Sequence, residues 1–266
     1  MKNLLKFLGI ITIAVIIGIS LSACEEDDGT SLPSAGNGSL GLTFEKVFDV
    51  TGAEGITTSN FSLSIRKLYY DEEYGEYRSK DIDFPINEDQ EWDYWSSNKW
   101  LDQGFTHPIP GSQVKLENGK LTLKLGTPTQ NFLDHFADDY SLEDHFTYDN
   151  ISFDYSQLSA TDGLKTIGFS YFQTQNYDDL RWGKYSATNP FVTLVYANKD
   201  GNVSGSYTTK YPSFSAITKY NMNLKKGWNT AICNIKVNQE KKEQTMTIIT
   251  GTPDASIKWV YEKDED

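Results

Sequence analysis

From residue 40 onward apolar residues recur at every second position, and this alternation limits the fold more than any other feature of the chain. Leu40, Leu42 and Phe44 alternate with Gly41, Thr43 and Glu45. Phe61, Leu63 and Ile65 alternate with Ser62, Ser64 and Arg66, and Leu121, Leu123 and Leu125 enclose Thr122 and Lys124. Ile151, Phe153 and Tyr155 repeat the pattern, as do Ile167, Phe169 and Tyr171. Further strands are expected at 191–197, 245–250 and 256–261. Successive strand side chains point to opposite faces, so each run predicts an antiparallel strand with one dry and one wet side. Turn chemistry agrees: Asn118-Gly119 and Asn198-Lys199-Asp200-Gly201 sit between apolar runs as hairpin signals, and Lys225-Lys226-Gly227 precedes Trp228 as another turn. Nothing shows the strand–helix rhythm of a parallel α/β protein. The expected class is all-β with minor α, an antiparallel β-sandwich or barrel over residues 40–266. Two segments depart from period two. Residues 129–146 place Phe132, Leu133, Phe136, Tyr140, Leu142 and Phe146 at spacings nearer three and four, predicting a short helical crossover near 130–146. Residues 87–104 have no clear period and read as a long aromatic loop.

The first residues are an address rather than fold. Lys2 and Lys6 form a short basic region, Phe7 to Ala23 is almost wholly apolar, and the run ends in Leu21-Ser22-Ala23-Cys24. This is the layout of a secretory signal over residues 1–23. Its ending resembles the lipobox of bacterial lipoproteins, which implies lipidation of Cys24 and a membrane partner engaged through N-terminal acyl chains such as palmitate. The apolar run is at the short edge for spanning a bilayer, and acids rather than a basic stop-transfer flank follow it. Residues 24–39 are acidic and rich in Gly, Ser, Pro and Asn, the composition of a flexible tether. If Cys24 is acylated, Cys233 has no partner for an intramolecular disulfide. Cys233 alternates with Ala231, Ile235 and Val237 and reads as a small buried hydrophobe.

Residues 121–133 and 245–260 each place an alternating strand before Gly-Thr-Pro, suggesting two related β halves, 40–133 and 147–266. Three stretches also resemble a pattern in bacterial β-rich lipoproteins: the Leu-Ser-Ala-Cys ending, Gly119 to Pro128, and Asn223 to Asn229 through Lys258-Trp259-Val260-Tyr261. The resemblance covers about a quarter of the chain beyond the lipobox. It implies an extracytoplasmic β-rich domain lipid-anchored in the cell envelope, on the periplasmic or cell-surface face of a membrane. It brings no catalytic residue with it.

The net charge of −13 excludes a nucleic-acid binder that works by general phosphate attraction. A hydrophobic fraction of 38% excludes a disordered chain. Only His107, His135 and His145 are present, and the ten residues between His135 and His145 are not the spacing that aims two imidazoles at one metal from a helix. Nucleophile elbow, Walker loop, dinucleotide fingerprint and zinc-protease motif are all missing. The reading therefore assigns no catalytic residue, metal or cofactor. The candidate ligand-binding residues are Trp92, Tyr94, Trp95, Trp100, Trp182 and Tyr185, aromatics in polar, loop-like surroundings, whereas Trp228 and Trp259 lie on strands as core. The leading expectation is a non-catalytic binding or envelope-structural domain whose partner is a glycan or an envelope protein. Its rivals are a carbohydrate-binding module using the Trp92–Trp100 loop, a lipocalin-like carrier of a small apolar ligand, and a hydrolase with paired carboxylates.

Overall fold

A computed structural model describes residues 35–71, 76–86, 109–135, 152–154, 156–186 and 189–264. Its first strands are β1 (Ser39–Gly41), β2 (Phe44–Thr51), β3 (Thr57–Thr58), β4 (Phe61–Asp71), β5 (Glu76–Pro85), β6 (Gln113–Glu117) and β7 (Lys120–Leu125). The middle of the chain gives β8 (Asp134–His135), β9 (Ser152–Asp154), β10 (Ser159–Ala160), β11 (Lys165–Phe169), β12 (Tyr171–Thr174) and β13 (Asp179–Ser186). The last part gives β14 (Asn189–Ala197), β15 (Gly201–Lys210), β16 (Ser215–Leu224), β17 (Gly227–Asn238), β18 (Glu243–Thr250) and β19 (Trp259–Glu262). The protein is all-β, as the alternation predicts. Its strands hydrogen-bond into a large mixed sheet that does not close.

One layer joins two runs of strands. The first is β2-β7-β6-β3, and the second is β5-β4-β12-β13-β19. They meet where β19 pairs in parallel with β2 through Trp259↔Val50 and Val260↔Thr51. The other layer runs β8-β11-β14-β17-β18-β16-β15, with β9 and β10 on the outer edge of β15 and β1 on β17. β13 belongs to both layers. Its first half pairs with β19, and its second half bends at Gly183 to reach β14. That bend needs glycine, because φ is +89° and a Cβ would lie 2.5 Å from the Pro190 carbonyl oxygen.

The apolar pattern explains the layering. Phe61, Leu121, Leu123, Phe172, Leu180 and Trp259 face Ile167, Phe169, Leu194, Tyr196 and Trp228 in the main core. Phe191, Val195 and Ala197 turn the opposite way, into a second cluster with Val203, Tyr207, Tyr220, Met222, Cys233 and Met246. β14 is thus buried on both faces, which is why residues 191–197 are nearly continuous in apolar side chains.

The second cluster lies inside a curl. The Asn198–Asp200 turn is present, but β14 and β15 do not pair with each other as a hairpin would. They splay because other partners take their ladders: β11 and β17 for β14, and β16, β10 and β9 for β15. Asn198 Nδ2 donates to the Gly163 carbonyl and its Oδ1 accepts from the Lys165 N–H, tying the turn to the loop before β11. β16 and β17 splay likewise beyond Lys225-Lys226, and β18 fills the wedge, parallel to β16 and antiparallel to β17. Asp200 links the two turns by accepting from the Lys226 N–H at 2.8 Å and Lys225 Nζ at 3.0 Å.

One expectation is described only at its start, and another is corrected. The segment beginning at Thr129 holds one turn of 3-10 helix, Gln130–Phe132, and then passes into β8, which pairs with Lys165 and Thr166. Phe132 and Leu133 are buried in the main core, so a tight turn followed by an extended step seats them without a helix. The remainder of the expected crossover lies outside the described residues. The two Gly-Thr-Pro strands also differ in setting. β7 lies between two antiparallel neighbours, β2 and β6, whereas β18 has one antiparallel and one parallel neighbour. The repeat is a shared way to stop a strand, since proline cannot continue a ladder, and not a duplicated half.

Candidate functional site

The parallel ladder between β2 and β19 lasts two residues. From Phe44 to Asp49, β2 pairs with β7 along one edge, and the opposite edge has no strand partner among the described residues. Period two places Phe44, Lys46, Phe48 and Val50 on the inward face. Val50 is buried, Phe44 and Phe48 are half-buried, and Lys46 is exposed. The Phe48 ring lies 5.1 Å from Trp182, 5.6 Å from Trp259 and 6.5 Å from Phe44. Trp182 stacks on Trp259 at 5.4 Å and 19°, and Trp259 stacks on Phe172 at 6.0 Å and 22°. The ladder continues inward through Phe169, Trp228 and Tyr196. Trp182 Nε1–H donates to the Ile257 carbonyl at 3.3 Å, fixing its ring. The result is a seam of half-exposed rings held rigid by a buried aromatic column.

Lys46 Nζ sits 5.1 Å over the Phe48 ring. A cation over a ring face gains from the ring quadrupole. No acid pairs with Lys46 among the described residues, whereas Lys115, Lys120, Arg181 and Lys225 each have a carboxylate. The seam therefore offers apolar rings together with a positive charge and a backbone edge that have no partner among the described residues. It supports binding, and it holds no nucleophile or acid–base pair.

A second polar cluster lies on the outward side of β12, β13 and β19. Arg181 bridges Asp179 and, at 3.9 Å, Glu262, and its guanidinium lies 5.2 Å over the Tyr171 ring. Gln173 Nε2 donates to Asp179 at 3.3 Å. Burial pushes the Asp179 carboxyl above its ordinary range although Arg181 and Gln173 pull it down. Nearby, the Tyr261 hydroxyl donates to Asp178 at 2.6 Å, and burial followed by Asp178 raises its pKa. Arg181 and Gln173 are tied to Asp179, and Tyr261 to Asp178, so the cluster reads as a structural network joining three strands.

The expected site residues divide into three groups. Trp182 lies on β13 within the aromatic column, not in a loop, stacked on Trp259 and tilted against Phe48. Tyr185 also falls on β13, and its side chain is outside the described residues, as are Trp92, Tyr94, Trp95, Trp100 and Cys24. His107 and His145 lie outside them too, while His135 is on β8 opposite Lys165. Among the described residues no group of His, Cys, Asp or Glu is placed to hold a metal ion. Cys233 is buried against Thr193 Oγ1 at 3.3 Å, and burial pushes its thiol up to about 12, so it stays protonated and unreactive. Trp228 and Trp259 are core, as their strand positions predict. The residues that the sequence does not mark as a binding site are Phe44, Lys46 and Phe48. The available signal was a charge interrupting an apolar stripe, Phe44-x-Lys46-x-Phe48. No protein-family model, curated protein or solved structure matches the chain, so its own residues carry the functional reading.

Proposed function

We propose that this chain is a lipid-anchored, extracytoplasmic β domain that binds a partner at the aromatic seam and performs no catalysis. The address is supported by residues 1–24, whose apolar run ends in a lipobox-like cysteine. The domain is built to receive a tether. Gly36 N–H donates to the Thr250 carbonyl, and the Gly38 carbonyl accepts from the Thr230 N–H, both at 2.8 Å. A Cβ at Gly38 would stand 2.4 Å from the Thr230 carbonyl oxygen, so glycine lets the chain lie flush on the end of β17. Between Cys24 and Gly36 the chain reaches at most about 40 Å, enough to hold a domain clear of lipid headgroups.

The observation that carries the binding reading is the seam itself, Phe44, Phe48 and Trp182 half-buried beside a Lys46 with no acid partner among the described residues. A soluble surface leaves single apolar residues exposed without consequence, but a contiguous rigid aromatic group marks recognition. The curl is a poor lipocalin, since Phe191, Tyr207, Tyr220, Met222 and Met246 fill its interior. The anchoring half of the proposal is tested by feeding cells a labelled palmitate and following Cys24→Ala. Loss of label and of membrane association is expected, and a labelled variant would refute it. The binding half is tested by comparing wild type with Trp182→Ala on peptide and glycan arrays. Equal profiles would remove the seam as the site.

A further inference from the structure

We infer that the edge of β2 left without a strand partner among the described residues takes an extended acidic segment of another polypeptide, which adds as a strand beside residues 44–49. This deepens the binding reading above and rests on it. That edge carries the backbone complementarity. A strand edge presents a row of N–H and C=O groups that another chain can pair with, and β7 occupies only the other side of β2. The inward face of the same strand carries the side-chain specificity. Phe44, Lys46 and Phe48 stand two residues apart, so they meet an added strand at its own alternate positions. The matching pattern is apolar-x-acidic-x-apolar, with the acid against Lys46 and the apolar groups over Phe44 and Phe48.

Lys46 also argues against the commonest competitor, a second copy of this chain. Two β2 edges paired around Lys46 would bring the two ammonium groups together on one face, and an inward-pointing charge is how natural sheets deter such self-pairing. The chain's net charge of −13 repels acidic peptides at long range, so recognition must come from this local cation.

The test uses the full-length protein in detergent and fluorescein-labelled Thr-Val-Thr-Glu-Thr-Val-Thr, read by fluorescence anisotropy. Replacing the glutamate by lysine is expected to weaken binding about ten-fold, and Lys46→Glu to reverse that preference. N-methylating alternate peptide residues is expected to abolish binding in one set and spare the other, because one set faces the β2 edge. Lys46 is exposed, so thermal melts of Lys46→Glu should superimpose on wild type. Indifference to N-methylation, or an unchanged glutamate-to-lysine ratio in Lys46→Glu, overturns the inference. Glycan binding lost in Trp182→Ala with no peptide bound also overturns it, while leaving the seam as a binding site. Binding of neither class refutes both.

Discussion

The two apolar clusters of this protein are assembled in different ways. The main core draws on strands from Val50 to Tyr261 and is held by ring-on-ring contact between layers, from Tyr196 and Trp228 through Phe169 and Phe172 to Trp259 and Trp182. The curl interior comes from Leu164 to Ile248 and is lined partly by hydroxyls: Thr193, Thr209 and Thr218 are buried there beside Cys233. One region is fastened by large side chains that reach across the chain. The other is fastened by backbone ladders that wrap a shorter stretch around itself, with Tyr207 stacked on Tyr220 inside it. The contrast also explains the seam, since only the aromatic column extends to the surface, where β2 parts from β19.

The comparison breaks first at Trp228. It is fully buried, and its Nε1–H donates to the Gly126 carbonyl at 2.8 Å. Trp228→Ala should cost about 3–5 kcal/mol in urea unfolding, and a much smaller loss would mean the aromatic column is not what joins the layers. The curl should break through its backbone instead. Gly205 has φ +99°, and a Cβ would fall 1.8 Å from the Gln157 carbonyl oxygen, where the chain before β10 crosses β15. Gly205→Ala should cost about 2–3 kcal/mol, and near-neutral melts would show that β10 packs more loosely than described.

A smaller effect of opposite sign sharpens the contrast. Thr209 Oγ1 is buried without a hydrogen-bond partner, a cost the curl carries and an aliphatic side chain would not. Thr209→Val should therefore gain about 1 kcal/mol, and a loss would reveal a partner for the hydroxyl. The smallest effect is a pH dependence on the outward face of β13. Because burial raises the Asp179 pKa on folding, the native state holds that proton more firmly than the unfolded chain. Its contribution favours folding at low pH and fades as pH rises through the raised value. Relative to Asp179→Asn, wild type should therefore gain in melting temperature as pH falls through the raised value and level off below 3.8, where both states hold the proton, and a constant difference would refute the raised value.

Much of the fold was legible because alternation is a local signal. Leu121, Leu123 and Leu125 face the core for the reason their spacing gives, and Asn118 and Gly119 adopt φ of +49° and +74° in the tight turn their identities predict. The site was far less legible. Trp182 reads as loop among its polar neighbours Asp178, Asp179 and Arg181, and only the stacking of Trp259 shows it as the outer end of a column. Phe44 and Phe48 read as ordinary strand positions until β2 is seen to leave β19. The Asn198–Asp200 turn was legible as a turn but not as a splay, since the strands that replace its hairpin partners come from elsewhere in the chain.

By itself the sequence determined a pleated, two-sided domain, the sites of its tight turns, and an amino terminus unlike the rest. These depend on side-chain period and on the conformational freedom of glycine, asparagine and proline, properties that residues carry with them. Tertiary structure alone decided which strands became neighbours, that the sheet curled without closing, and that one aromatic edge stayed half-uncovered. Those outcomes depend on competition among distant segments for the same hydrogen-bonding edges and the same buried volume, and no local window of sequence contains that competition.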